Sequence, residues 1–378
     1  MKVNLGLGPH NSFDTMRFHE GDRTRIPVVS DSTVLQKIHA IGDLAEPLGF
    51  DGLWFPQHFG SPYGMCPNPL QVLAYFAGRT ERITFGTMIL VAPWWHPVQL
   101  AHEIAYLDNL SSGRYEVIGL GRGVAKAEFD CLGVPRDESR QRLDETIDIL
   151  TAAFTQESFS FEGEVFTIPE TSIRPAPVSS DLAGRLHGAS STGPSLEKNA
   201  RAGLTPLFVG NKPLDVAAQE VRRVNEIRRE AGLSPVQPKN VLFAYCAPTD
   251  QEAVRAAEYV EQANRDVRLH YGFDDPSNFV GVKGYESYAE GKGSATAVTA
   301  GPSRRYDESN LLIGSPETII ERVGALQKVC SFSEITINPY FGEMPLAEVE
   351  ASVRLFAKEV LPVLHEMEAP LHPDASGE

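Results

Sequence analysis

The sequence predicts one (β/α)8 TIM barrel over residues 1–378, with insertion segments. Three observations predict it. Short apolar, β-branched runs alternate with longer amphipathic segments; about eight such pairs can be counted; and 378 residues suit a single large barrel. A doubly wound open sheet would alternate similarly, but the count and the length favour the barrel.

In chain order, residues 3–7 read as the first strand. A helix over 33–48 follows, with Asp31 or Ser32 as its cap and Gly49 just past its end. Strands at 51–55, 83–90 and 115–120 alternate with helices at 68–78, 98–110 and 138–154. The last of these places Leu143, Ile147 and Leu150 along one face. The second half offers strands at 185–190, 204–209, 240–245 and 334–338. Helices fit 195–201, 214–230, 250–264, 316–329 and 346–365. Two segments break the rhythm. Residues 157–180 carry FEGEVFTIPE, which reads as a hairpin, and then a Pro-rich linker. Residues 270–310 are long, weakly periodic and rich in Gly, Ser and Tyr, as a lid loop would be.

Charge narrows the partners. Fifty acidic residues against 34 basic ones give a net charge of −16, which repels phosphate polymers, so nucleic acid is not expected. Cys66, Cys131, Cys246 and Cys330 form no C-x-x-C pair and read as buried, reduced thiols. The N-terminus lacks a basic region followed by a long apolar stretch, and no apolar run is long enough to span a bilayer. A cytoplasmic protein with no membrane partner is the expectation.

Barrel sites lie at the C-terminal ends of the strands. The residues there are Pro9 and His10; Gln57, His58 and Phe59; Trp94, Trp95 and His96; Arg122; the loop GASSTGPS; Tyr245 and Cys246; and Pro339, Tyr340 and Phe341. This set contains no pair of carboxylates, which disfavours glycosidase chemistry. A hydrolytic metal centre built on His10, His58 and His96 ranks low for the same reason, and no metal is expected. Aromatic walls and a small polar loop ahead of a helix suit a flat cofactor with a phosphate tail. Each residue has a plainer reading as well. The loop could be an ordinary capped turn, Arg140 a surface charge, and His58 a structural imidazole. GLGRG is not a dinucleotide fingerprint, because its sixth position is Val124.

Several stretches, in order, resemble the luciferase-like flavin-dependent monooxygenases. GFDGLWFPQHF resembles their second strand and active-site turn. ITFGTMILVAPWWHPVQLAHEIAYLDNLSSGRYEVIGLGRG resembles their third and fourth strands, and DESRQRLDETIDIL the helix that follows. IGSPETIIERV and FGEMPLAEVEASVRLFAKEVLPVL resemble their C-terminal helices. The resemblance implies that His58 matches the first histidine of a Glu-His-His turn at the flavin's reactive edge. Gln57 and Phe59 replace its neighbours here. It implies a cis peptide between Met88 and Ile89, and a flavin phosphate near Arg122, Arg140 and the small residues Ala189, Ser190 and Ser191. It makes His10, Phe59, Trp94, Trp95 and Tyr340 the substrate pocket. It also implies reduced FMN from a separate flavin reductase, O2 as co-substrate, insertion of one oxygen atom into a small apolar substrate, and a homodimer. Gly121 stands where luciferase has a reactive cysteine, so light emission is not expected. Two other readings remain on the same barrel: a deazaflavin-dependent dehydrogenase and a non-catalytic flavin-binding relative.

Overall fold

A computed structural model describes residues 1–189, 193–209, 214–290 and 311–369. Eight parallel strands close into a barrel: β1 (Lys2–Gly6), β2 (Gly52–Phe55), β3 (Thr84–Thr87), β4 (Tyr115–Gly121), β5 (Leu186–Ala189), β6 (Thr205–Val209), β7 (Lys239–Cys246) and β8 (Glu334–Asn338). Each pairs with the next, and β8 closes onto β1 with Val3 opposite Ile335. These are the eight strands read from the sequence. Their runs of Val, Ile, Leu and Phe are buried because a parallel sheet is covered on both faces.

The third strand is shorter than its apolar run. It stops at Thr87, the Met88–Ile89 peptide is cis, and the chain resumes as a two-residue strand, Leu90–Val91, against Leu120 and Gly121 of β4. A further short strand, Leu312–Gly314, pairs with β7 and was not read from the sequence.

The helices form where apolar spacing and caps coincide. Asp31–Gly42 buries Val34, Ile38 and Ile41 on one face. Its cap is Ser30 rather than Asp31 or Ser32, the Ser30 Oγ accepting the Thr33 N–H at 3.2 Å. It ends at Gly42, and turns carry the chain to Gly49 at φ +89°, shortening the helix expected over 33–48. Asn68 caps Pro69–Ala77 by accepting the Leu70 and Gln71 N–H groups. Ser139–Thr155 buries Leu143, Ile147 and Leu150 as its spacing requires. Each such side chain contributes about 1.5–3 kcal/mol when fully buried.

The segment read as a helix over 250–264 differs most. It is a short turn, Asp250–Ala253, followed by a longer helix, Ala256–Tyr271, which ends on Gly272 at φ +69°. The extra turns carry Asp266, His270 and Tyr271 to the rim of the barrel. The insertion at 157–180 is an antiparallel hairpin, Phe159–Glu162 with Thr167–Thr171. The buried carboxylate of Glu145 pins its turn by accepting the N–H groups of Glu164, Val165 and Phe166. The segment expected to be a lid is described as far as Glu290; residues 291–310 lie outside the described residues. In the described part, Phe279, Tyr285 and Tyr288 form a buried aromatic cluster against Phe273 and Val124. Cys66, Cys246 and Cys330 are buried as expected, whereas Cys131 is exposed, and all four are free thiols. Among the described residues no helix is long and apolar enough to cross a membrane.

Candidate active site

A cavity of about 340 Å³ opens at the C-terminal ends of the strands. Strand-end residues line it, among them His10, His58, Met88, Ile89, Trp94, Arg122, Ala189 and Tyr340, together with Arg140 from the helix Ser139–Thr155. Phe59 and Trp95 stand behind this wall instead. Phe59 packs edge-on against Trp94 with ring centroids 5.4 Å apart. The Trp95 Nε1 donates to Gln57 Oε1 at 3.1 Å. His96 lies elsewhere, against Phe166, so His10, His58 and His96 do not converge. Ser190 and Ser191 lie outside the described residues.

His58 has a buried carboxylate that its sequence neighbours do not announce. Its Nδ1 lies 3.0 Å from Glu128 Oε1, and the same oxygen accepts the Phe59 N–H at 2.9 Å. Glu128 sits on the helix Lys126–Leu132, a segment with no element assigned from the sequence, and is 1% exposed. Burial alone would raise this carboxyl. The charges and hydrogen bonds of His58 and His270 outweigh it and hold the group at about 2. A carboxylate only accepts, so in the neutral imidazole the His58 proton resides on Nδ1 and Nε2 carries the lone pair. The Tyr271 hydroxyl is 3.4 Å from that Nε2.

His270 completes the cluster. Its Nδ1 is 2.9 Å from Ser61 Oγ and its Nε2 is 3.5 Å from Glu128 Oε1. Burial pushes it down to about 4, so it is neutral at pH 7. Tyr63 stacks on His270 with centroids 4.5 Å apart and meets His58 and His10 edge-on at 4.9 and 4.7 Å. His10 is also backed by an acid: its Nε2 lies 2.9 Å from Asp266 Oδ2, and Asp266 is fully buried. The expectation that no carboxylate accompanies these histidines is therefore corrected. Glu128 and Asp266 both arrive from helices, which a survey of strand ends does not reach.

Cations gather at another part of the rim. Arg122 lies on the ring of Tyr285, 3.9 Å from its centroid, with Arg136 against the same ring at 4.4 Å. Arg140 Nη2 donates to Ser195 Oγ in the first turn of the helix Gly193–Arg201. Burial and then the neighbouring charge of Arg122 push Arg140 downward. Each of the three guanidiniums retains a buried nitrogen with no hydrogen-bond partner among the described residues. Buried donors without acceptors are costly, and a phosphate would suit those of Arg122 and Arg140, which line the cavity, whereas Arg136 does not line it. Arg136 was not singled out from the sequence.

Two departures from the family pattern have local causes. Gln57 donates from Nε2 to the Pro67 carbonyl at 3.0 Å, and its Oε1 accepts the Val91 N–H at 2.8 Å. A carboxylate could not make the first of these bonds. At Gly121 a Cβ would collide with the Ile89 side chain, so the floor of the cavity is bare backbone there.

A closed parallel barrel with protonatable groups and an anion-suited arginine cluster at its strand ends defines the class: a (β/α)8-barrel enzyme with its site on the C-terminal rim. The chain belongs to the luciferase-like monooxygenase family, whose model matches residues 16–330. It is 25% identical over 348 residues to the alkanal monooxygenase alpha chain of Photobacterium leiognathi, covering 89% of this chain and 96% of that one. Among solved structures it is similar to the monooxygenase RslO1 from Streptomyces bottropensis (TM-score 0.71, 25% identity, 96% of this chain and 100% of that one). The oxygenating constituent of 3,6-diketocamphane monooxygenase from Pseudomonas putida, in complex with FMN, shares the fold (TM-score 0.70, 21% identity, 98% and 99%). So does an F420-dependent secondary alcohol dehydrogenase (TM-score 0.69, 14% identity, 96% and 99%).

Proposed function

We propose that this protein is a monooxygenase that binds reduced FMN, delivered by a separate reductase, and inserts one atom of O2 into a small, largely apolar substrate. The arginine cluster carries the reading. Among the described residues, buried guanidinium nitrogens of Arg122 and Arg140, both on the cavity wall, lack acceptors, and a phosphate monoester would supply them. FMN, when bound, supplies the oxygen activation that no side chain of the cavity can. The residues present divide the remaining tasks. Arg122 and Arg140 hold the phosphate beside the start of the helix Gly193–Arg201. Met88, Ile89, Ala189 and the bare Gly121 form a thin apolar floor for a ring system. His58, its proton held on Nδ1 by Glu128, presents Nε2 to accept and return a proton. Trp94, Phe273, Tyr288 and Tyr340 shed water from the reacting centre.

The same fold carries FMN in one relative and F420 in another, so the test compares the two. Purified protein is titrated with FMN, reduced FMN and F420, and O2 uptake is then followed against ketones, aldehydes and phenols. The expected result is tight binding of reduced FMN and substrate-dependent O2 uptake. Arg140→Ala should weaken FMN binding by roughly 10–100-fold, the loss of one charge-assisted contact to phosphate. Preference for F420 with substrate oxidation in the absence of O2 would replace this reading by hydride transfer. FMN binding without O2 uptake on any substrate would leave a non-catalytic flavin-binding relative.

A further inference from the structure

The cavity holds one more acid–base pair than the proposed oxygen insertion uses. His58 and Glu128 form one. His10, on the loop after β1, and Asp266, on the helix Ala256–Tyr271, form the other, with Nε2 and Oδ2 2.9 Å apart. Asp266 is fully buried, and Arg265 Nε fixes its second oxygen at 2.9 Å. A carboxylate in that position dictates the tautomer. In the neutral imidazole the His10 proton sits on Nε2, and Nδ1 keeps its lone pair. No described group bonds Nδ1, and His10 lines the cavity. This is the arrangement of a general base oriented by a buried acid. The other groups around it are the ring of Tyr63 at 4.7 Å and His270, which stacks on that ring, while His19 and Ser12 interact with Asp266.

Two further atoms point to what the base acts on. Trp94 and Tyr340 line the cavity, and the Nε1 of the one and the hydroxyl of the other are buried with no hydrogen-bond partner among the described residues. Both can donate, and stranded buried donors suit an oxyanion. The same wall carries Phe243 and Phe341, whose apolar rings fit a flat aromatic body.

We infer that the substrate carries an acidic hydroxyl, a phenol or enol, and that His10 Nδ1 is the base that takes its proton. This rests on the monooxygenase reading of the same cavity. The substrate O–H bond breaks and its electron pair stays on oxygen. An N–H bond forms at Nδ1, leaving imidazolium against the Asp266 carboxylate. The oxyanion raises electron density at the neighbouring carbon, which then attacks the transferred oxygen atom. Overall, C–H becomes C–OH, the second atom of O2 leaves as water, and two electrons come from reduced FMN. Asp266 is a positioning residue; His10 is catalytic.

The test uses the FMN-loaded protein and 4-nitrophenol, whose ionised form absorbs at longer wavelength, with 4-nitroanisole as the form that cannot ionise. Difference spectra are recorded against FMN-loaded protein about one pH unit below the phenol's ordinary pKa. Bound 4-nitrophenol should be ionised at least about tenfold more than free phenol, the equivalent of about one unit. His10→Phe and His10→Gln should return it to the free ratio, and Asp266→Asn should do so in part. No binding, binding of the neutral form, or equal ionisation in the His10 variants overturns the proposal. Thermal melts show whether each variant is folded, and the two His10 replacements differ in polarity, so a single misfolded variant does not decide the outcome. FMN titration is read separately and should be unchanged in His10→Phe. Failure of wild type to bind FMN would sink the oxygenase reading, while phenol ionisation in the flavin-free protein still judges His10.

Discussion

At the scale of single residues, Glu128 governs the chemistry of His58. It accepts from Nδ1, and it also ties the turn through the Phe59 N–H. Replacing Glu128 by Gln keeps the shape but offers a neutral amide, which no longer dictates the tautomer. Turnover should fall by roughly 10–100-fold with little change in FMN affinity, because the phosphate contacts are elsewhere. Stopped-flow and fluorescence titration of the variant separate the two; a loss confined to FMN binding would remove Glu128 from proton handling. Gly121 makes the opposite point, since there the absence of a side chain is what matters. Gly121→Ala pushes a methyl group into Ile89 and should cost about 1–3 kcal/mol in urea unfolding. An unchanged midpoint would mean that the floor of the cavity yields easily.

At the scale of elements, the described part of the 270–310 segment lays an aromatic cluster against the arginines. Tyr285 is its pin: the hydroxyl donates to the Gly123 carbonyl at 2.9 Å, and its ring lies under two guanidiniums. Tyr285→Phe keeps the ring and strands the carbonyl, at a cost of about 1–3 kcal/mol. The segment should then open more often, raising its rate of proteolytic cleavage and weakening FMN binding several-fold. Limited trypsinolysis with and without FMN checks this, and equal cleavage of variant and wild type would show that the pin does not hold the cap. The strands were legible because each is a short β-branched run bounded by turn residues. So was the half of the site that follows them directly, which includes His10, His58, Arg122 and Tyr340. Glu128, Asp266, His270 and Tyr271 were not. They reach the cavity from helices, and nothing in their spacing tells residue 266 that it will face residue 10. One signal was available: Gly272 is a helix stop, and running the helix to it sets Asp266 and His270 one turn apart on a single face. Met88 and Ile89 also look like the middle of a strand, because apolar composition does not register where hydrogen bonding is interrupted.

For the whole molecule, these buried groups set how it meets acid. His187, on β5, is held down to about 4 by burial and by the nearby charge of Lys239, and burial holds His270 at about the same value. An unfolded chain binds a proton at each near the ordinary value of 6.5, while the folded chain refuses it. Their contribution is therefore fully present above pH 6.5 and is lost as pH falls from there towards 4. By pH 5 each has cost about 2 kcal/mol. Together that is a large share of the ~5–15 kcal/mol that holds a typical domain folded. Glu128 adds to the loss later. Its carboxyl is held at about 2 against an ordinary value of 4.5, so its stabilisation drains only as pH falls between those two values. Unfolding in urea should show a midpoint that is flat above about pH 7, declines between 6.5 and 4, and drops again below that. His187→Asn removes one of the two buried imidazoles and should roughly halve the first decline without touching the second. A midpoint that stays level from pH 7 to pH 5, or a His187→Asn curve parallel to wild type, would mean that the buried imidazoles take up protons without unfolding the barrel.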